Sequence, residues 1–538
     1  MSTNIEKGSK AETAENLSNS DLTHSLQSKK QEISETASWK MKAFVLLSIL
    51  SLPVGCHFLE ATLGTLKTPL KRSMKINNTQ FSILLSCVTL VNTVLPLVAG
   101  FLLDDVRRLG PIRSTAMVSM IIVIGSILVA IGANLNSYSC MVTGQVIYGL
   151  GGGMIITMEE GIFSRWFRDK EVAIVVGISL SVARLTKWIA KMIAFPIVNL
   201  TGSIASPIYV GTFLCILGAL INFIYWFVMW KKGMATISGK DLSLSKTKVE
   251  QKKENKWSYS VLLYIPGIFW MVPLVQLVMS SVLSSFDDVA TEYIEFRYQK
   301  DSIMAGYQSS LTQVVPIVGA PLLGIFVHKY GQRLTLLFIG TLVLLVSMVL
   351  LSYTWVVPAV GMIIFSMALS LGPVALLSST SLLLPHELSG TAMGLHKCAN
   401  NIGTTIVSVL VGYVQDLTYH DGNPYDDMTD LQTEYDGVMI LYLVLAVSSV
   451  FIAIAFLVLD RMVLHSWLQV NKTERDKRLD EYVNGYEKTE EDLKLVGLRL
   501  RKKKKFTYVS FFAFWLIVAW IIFFTFALMP VYQHYNIT

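Results

Sequence analysis

The stretch "VVGISLSVARLTKWIAKMIAF", from Val175 to Phe195, is apolar and long enough to cross a bilayer, yet it carries Arg184, Lys187 and Lys191. Their spacing of three and then four residues puts all three on one face of a helix. A charge at the centre of a spanning helix costs about 2.5–3.5 kcal/mol on insertion scales, so such residues face a water-filled cavity or a partner. A guanidinium grips a carboxylate through two parallel hydrogen bonds, so Arg184 offers reversible binding of an anionic group inside the membrane. The alternative is an internal salt bridge, with Glu60, Glu159 or Glu160 as partner. Other polar groups at membrane depth are His57, Gln276, His396, Lys397, Asn400 and Asn401. Lys397 and Asn401 lie four apart on one helix face and, with Gln276, would give the second half of the chain its share of a site; packing is equally open to them.

The elements that must position these residues follow from composition. The chain has 538 residues, 53% hydrophobic and 15% charged, against about 25% charged in a soluble domain. Its apolar residues fall in runs of about twenty, the length a helix needs to cross about 30 Å of hydrocarbon. This describes an all-α, polytopic membrane protein. The net charge of +7 is a sum over loops and calls for no nucleic acid. Five cysteines, Cys56, Cys87, Cys140, Cys215 and Cys398, are scattered without metal-ligand spacing. No nucleophile–base pair or phosphate-binding loop is visible, so neither an enzyme nor a cofactor is expected.

Thirteen spans are expected, at about 41–63, 81–103, 114–133, 139–162, 172–196, 207–230, 259–284, 303–327, 334–353, 355–383, 390–414, 437–460 and 507–529. They divide the chain into a disordered tail (1–38), a six-helix half (39–230), a Lys-rich linker (231–257), a second six-helix half (258–463), a charged segment (464–505) and one extra helix (506–530). Lys and Arg crowd the loops after spans two, four, six and eight, which places these loops, the linker and the N-terminus in the cytosol. The loop Asp416–Asp436, with seven acids and no Lys or Arg, goes to the other side. The loop after span one breaks the pattern with Lys67, Lys71, Arg72 and Lys75. Sequons at Asn77 and Asn199 fall in loops assigned to the lumen or exterior, where glycosylation occurs, whereas Asn471 lies on the cytosolic side. The basic run ending at Lys505 holds its side of the last span in the cytosol, putting the C-terminus outside.

Two groups of six spans are the layout of the major facilitator superfamily, whose halves are related by a pseudo-two-fold axis along the membrane normal. Its loop motif is expected after spans two and eight. "GFLLDDVRRLGPIR" supplies Asp104, Arg107, Arg108 and Arg113, with two extra residues between Asp104 and Gly110. "GIFVHKYGQR" supplies Lys329 and Arg333, with His328 in place of the acid. A carboxylate at a helix end, meeting basic groups and a helix N-terminus, would gate that side, and Glu159 and Glu160 join the gating set. The blocks "GQVIYGLGGGMIITMEEGIFSRWFRDKEVAIVVGISLSVARL", "HELSGTAMGLHKCANNIG" and "KTPLKRSMKINNTQF" resemble the lysosomal dipeptide transporter branch, the group called major facilitator superfamily domain-containing protein one. The resemblance covers about residues 40–460, and the thirteenth span departs from it.

The resemblance implies that Ala183-Arg184 matches the family pair whose Arg holds the peptide carboxylate. An acid expected in span four, to receive the peptide's amino terminus, falls here on Gly153. The amine is then held elsewhere, with Glu60 a candidate, or the solute has none. The Arg that precedes a Gly-x-Gly in many proton-coupled members is here Gln145, which favours facilitated diffusion. The glycines of "GLGGG" are expected to pack helices closely. The function expected is uniport of small zwitterionic or anionic metabolites, dipeptides foremost, with Arg184, Lys187, Glu60, Gln276, Lys397 and Asn401 lining the site. A proton-coupled organic-anion or drug antiporter and a non-transporting transceptor or scaffold are the competing expectations. Expected partners are a small solute and the lipid bilayer; the transport unit is a monomer, and a glycosylated accessory membrane protein stays open. A lysosomal or vacuolar membrane is favoured, with the plasma membrane or endoplasmic reticulum as alternatives.

Overall fold

The computed structural model describes residues 39–96, 110–167, 169–231, 259–380, 382–384, 389–418, 428–475, 477–478 and 505–535. The tail 1–38, the linker, most of 464–505 and the first loop motif with Asp104 and Arg108 lie outside the described residues. Each of the thirteen expected spans has a helix in the structure. The first is Trp39–Leu50 continued by Leu52–Thr65, the second Asn78–Val91 in its described part, the third Gly110–Asn134 and the fourth Tyr138–Trp166. The fifth and sixth are Asp169–Thr201 and Ser206–Lys231. In the second half come Gly267–Arg297, Ser302–Tyr330, Arg333–Tyr353, Pro358–Thr380, Ser389–Thr418 and Asp436–Leu464, with Phe506–Tyr535 last.

Ten described helices are both long and apolar enough to cross a membrane. The fifth and eleventh spans, 33 and 30 residues long, are not among them. Both carry the charges and amides singled out above.

The halves meet along three seams: first span on seventh, second on eleventh, fifth on eighth. Small residues set the closeness of approach, as they do between membrane helices that lack a hydrophobic force to press them together. A Cβ on Gly64 of span one would stand 2.9 Å from the Asp288 carbonyl oxygen of span seven. Where "GLGGG" brings span four against span two, a Cβ on Gly149 would stand 3.0 Å from the Val88 Cα.

Span seven differs most from its expected limits. It was placed at 259–284, but the helix runs on to Arg297 and includes a π-helical segment at Gln276–Ser280. The extension "FDDVATEYIEFR" is polar enough to pass for a loop, yet it is almost wholly buried between helices. Asp287, Asp288, Glu292 and Glu295 thereby enter the membrane part of the molecule.

The thirteenth helix lies against spans two and eleven. Phe523 packs with Ile83, Cys87, Leu90 and Val409, and Ala519 with Ile402 and Ile406. The Trp520 indole N–H donates to Thr93 Oγ1 at 3.1 Å, and near the helix start Tyr508 stacks on Trp270 of span seven. If all thirteen helices cross, the chain ends emerge on opposite faces. In sealed vesicles, proteases added from outside should remove a tag at the N-terminus or a tag after Thr538, but never both.

Candidate substrate cavity and gate

The three cations of span five have three different surroundings. Lys191 is 2% exposed, and its ammonium donates to Asp287 Oδ1 at 2.6 Å and to the Asp287 carbonyl oxygen at 2.8 Å. Thr312 Oγ1 and Gln313 Nε2 of span eight donate to the same carboxylate oxygen, at 2.7 and 2.8 Å. Lys191 is therefore a structural cation tying spans five, seven and eight. Its partner is Asp287, and Glu60, one of the acids expected to pair with these cations, is paired with Lys187.

Lys187 reaches Glu60 of span one at 3.6 Å, with solvent touching both side chains, and His57 Nδ1 lies 3.8 Å from the same carboxylate. Glu60, expected to be available to a solute amine, is thus engaged by Lys187. Glu159 is buried and accepts from Ser179 Oγ at 2.7 Å, within its own half. Of Glu160, only the helical backbone is described.

Arg184 is partly exposed and has no ion pair among the described residues. Its Nη1 donates to Gln313 Oε1 at 3.1 Å. Because the Gln313 amide nitrogen is held by Asp287, its oxygen is turned toward Arg184. The guanidinium is positioned with donors left over, the arrangement that receives a carboxylate from outside. One acid in this region is also unpaired: Asp288 is partly exposed and has no hydrogen bond or ion pair among the described residues.

The remaining expected site residues divide. Asn401 Nδ2 donates to the Asn92 carbonyl oxygen at 3.0 Å, joining spans eleven and two, and to its own helix at Lys397 O. Lys397 is partly exposed. Gln276 is buried, with its Oε1 unpartnered. At Gly153 a Cβ would collide with the Asn92 amide, which occupies the place a span-four acid would need. Arg113 and Lys329 are exposed. Arg333 is buried, but its Nη1 donates to the carbonyls of Leu468 and Val470 at 3.4 and 3.3 Å. It thereby anchors the segment after span twelve within its own half. Asn77 is exposed and caps the helix at Asn78, its side chain accepting from the Gln80 N–H at 2.8 Å. Asn199 is exposed in the last turn of span five, so that sequon is helical rather than in a loop.

The gate that the described residues contain lies at the opposite end from the expected motif. Glu292 of span seven sits between Lys67 and Lys71, 2.6 Å from each ammonium, and Lys67 and Glu292 are both fully buried. Lys67 also donates to Gln415 Oε1 at 2.7 Å, and Tyr435 OH donates to Glu292 at 2.6 Å. Asp416 of span eleven accepts from the backbone N–H groups of Asn78 and Thr79, both at 2.9 Å, at the positive N-terminus of the second helix. Every one of these bonds joins one half to the other except Tyr435–Glu292. The basic loop that broke the charge pattern is explained: two of its lysines share the buried carboxylate of Glu292. Their signal in the sequence was that exception itself, but their partner was hidden by the short limit given to span seven.

Two six-helix halves, closed by ion pairs at one end and holding unpaired charges midway along, define a membrane transporter. The Major Facilitator Superfamily matches residues 50–408 and 301–538, and the chain belongs to it. It is a transporter of that superfamily and not an enzyme. It is 24% identical over 386 residues to the lysosomal dipeptide transporter MFSD1 of Homo sapiens, covering 70% of this chain and 80% of that protein. Against MFSD1 of Danio rerio it is 23% identical over 385 residues, 70% of this chain and 81% of that one. Among solved structures, a D-xylose-proton symporter aligns with a TM-score of 0.59 at 14% identity, covering 81% of this chain and 99% of that one. The peptide transporter POT in complex with sulfate aligns with a TM-score of 0.55 at 14% identity, covering 79% and 98%. At these identities the solved structures show the fold alone.

Removing one partner of a buried ion pair costs about 3–5 kcal/mol, whereas replacing both with apolar residues is often neutral. Lys191→Ala should lower the melting temperature of the purified protein sharply, and Lys191→Met with Asp287→Leu should recover most of the loss. A double variant no more stable than the single one would show the pair to be more than a structural tie.

Proposed function

We propose that this transporter carries small zwitterionic solutes, short peptides foremost, by facilitated diffusion through alternating access, with Arg184 holding the solute carboxylate. The observation that carries this is the positioned guanidinium of Arg184, which has no acid paired with it among the described residues and lies near the middle of the helix Asp169–Thr201. The similarity to lysosomal dipeptide transporters supports the peptide class and a lysosomal or vacuolar membrane. The basic loops support a cytosolic N-terminus, with the Lys67–Glu292 gate facing the lumen. Solvent reaches Glu60 and Lys187 while Lys67 and Glu292 are sealed, which supports reading the conformation as open toward the cytosol.

Uniport rests on Gln145, a buried neutral side chain where many proton-coupled relatives would carry a cation. A second arrangement, proton coupling, is favoured by the unpaired carboxylate of Asp288. Flux into proteoliposomes separates the two: under uniport, uptake of alanyl-alanine follows its own gradient and persists when a protonophore collapses an imposed pH gradient. Uphill accumulation driven by that pH gradient, and abolished by the protonophore, would establish coupling instead.

Truncating one partner of a buried, hydrogen-bonded charge pair costs about 2–5 kcal/mol, so Arg184→Ala should weaken alanyl-alanine binding roughly 30-fold or more. Arg184→Lys should rescue only in part, since a point charge cannot reproduce the planar fork. A well-folded Arg184→Ala protein with unchanged binding and flux would remove Arg184 from the site.

A further inference from the structure

We propose that Asp288 receives the ammonium group of the transported solute, so that the cavity recognises a zwitterion by holding its two ends on spans five and seven. This rests on the assignment of Arg184 to the solute carboxylate.

Within the helix Ser281–Arg297, the residues that are not fully buried are Ser284, Asp288 and Glu295. Intervals of four and seven put them on one face, so this helix presents a single stripe to an opening and buries the rest. Asp288 is the middle member of that stripe. Its backbone lies against Gly64 of span one, one helical turn from Glu60. Glu60, Lys187 and Asp288 all keep some exposure to solvent.

The ion pairing of these groups decides which of them a solute can use. Lys191 is consumed by Asp287 and Lys187 by Glu60. Arg184 and Asp288 remain, a cation and an anion without ion-pair partners among the described residues. Two hydrogen bonds, 3.1 Å from Arg184 to Gln313 and 2.8 Å from Gln313 to Asp287, connect Arg184 to the neighbour of Asp288. The two unpaired groups thus sit on neighbouring helices that Gln313 ties together, and a solute with a carboxylate at one end and an ammonium at the other would neutralise both. An unpaired charge of each sign is costly to leave within a membrane, and a zwitterion relieves both at once. Glu295 is a weaker candidate, because Thr68 Oγ1 already donates to it at 2.6 Å. Gly153 contributes no acid from span four, so the amine has no competing carboxylate there.

The test is a thermal-shift titration of the purified full chain with alanyl-alanine and with N-acetyl-alanyl-alanine, which keeps the carboxylate and lacks the ammonium. The wild-type protein should bind the free dipeptide about tenfold or more tightly than the acetylated one, as expected for loss of a charged hydrogen bond. Asp288→Asn should bind both alike, at the weaker level, while Asp288→Glu should keep a measurable preference for the free amine. The melting temperatures of both variants without ligand show whether they fold. If Asp288→Asn folds and still prefers the free dipeptide, or if Glu60→Gln alone abolishes the preference, Asp288 is not the ammonium site. The carboxylate assignment fails separately: wild-type protein that ignores both peptides, or Arg184→Ala that binds both normally, would overturn that reading and this proposal with it.

Discussion

One carboxylate between two ammonium groups holds the conformation described here. Glu292, fully buried, draws Lys67 and Lys71 of the first half onto the second, and Tyr435 and Gln415 complete its shell. Removing these charges from water is expensive, and their mutual attraction offsets the cost only while the geometry is kept. A lock of this kind has two settings rather than a continuum, which suits a protein whose halves must rock between discrete states. At this end Lys67 and Glu292 are fully buried, whereas Glu60 and Lys187 further along keep contact with solvent.

Below the gate, span five works as a ladder. Its cations meet Asp287, Glu60 and Gln313 on three different helices, two of them in the opposite half. Burial decreases from Lys191 to the other two. The rung nearest the gate is rigid and fully compensated, whereas Arg184 has only a neutral partner. A neutral partner orients a guanidinium without cancelling its charge, which is what a reversible binding group requires.

The number of spans, their division into two halves and the cations on one face of span five were legible in the sequence, because apolar run length and helical periodicity are local signals. The partners of those cations were not. Asp287 and Asp288 lie in "FDDVATEYIEFR", whose low hydropathy imitates a loop; it is helix because other polar helix faces and a gate surround it. The same reasoning applies to Lys67 and Lys71, which looked like misplaced loop charges until Glu292 appeared opposite them. Asn401, read as a cavity residue from its depth, has its amide on the Asn92 carbonyl, a pairing across the seam that no single stretch of sequence encodes. The missing acid at Gly153 was legible as an absence, and its steric cause, the Asn92 amide, was not.

The thirteenth helix alters how the molecule meets the bilayer. It lies over the line where spans two and eleven touch, bonded to Thr93 of one half and packed on Ile402 and Ile406 of the other. In a bare twelve-helix bundle that line is a slit facing the acyl chains, through which an oily amphiphile could slide sideways into the cavity. Here Ala519, Phe523 and their neighbours roof it. Along the described residues, a compound dissolved in the membrane meets this helix on that flank rather than the seam beneath it.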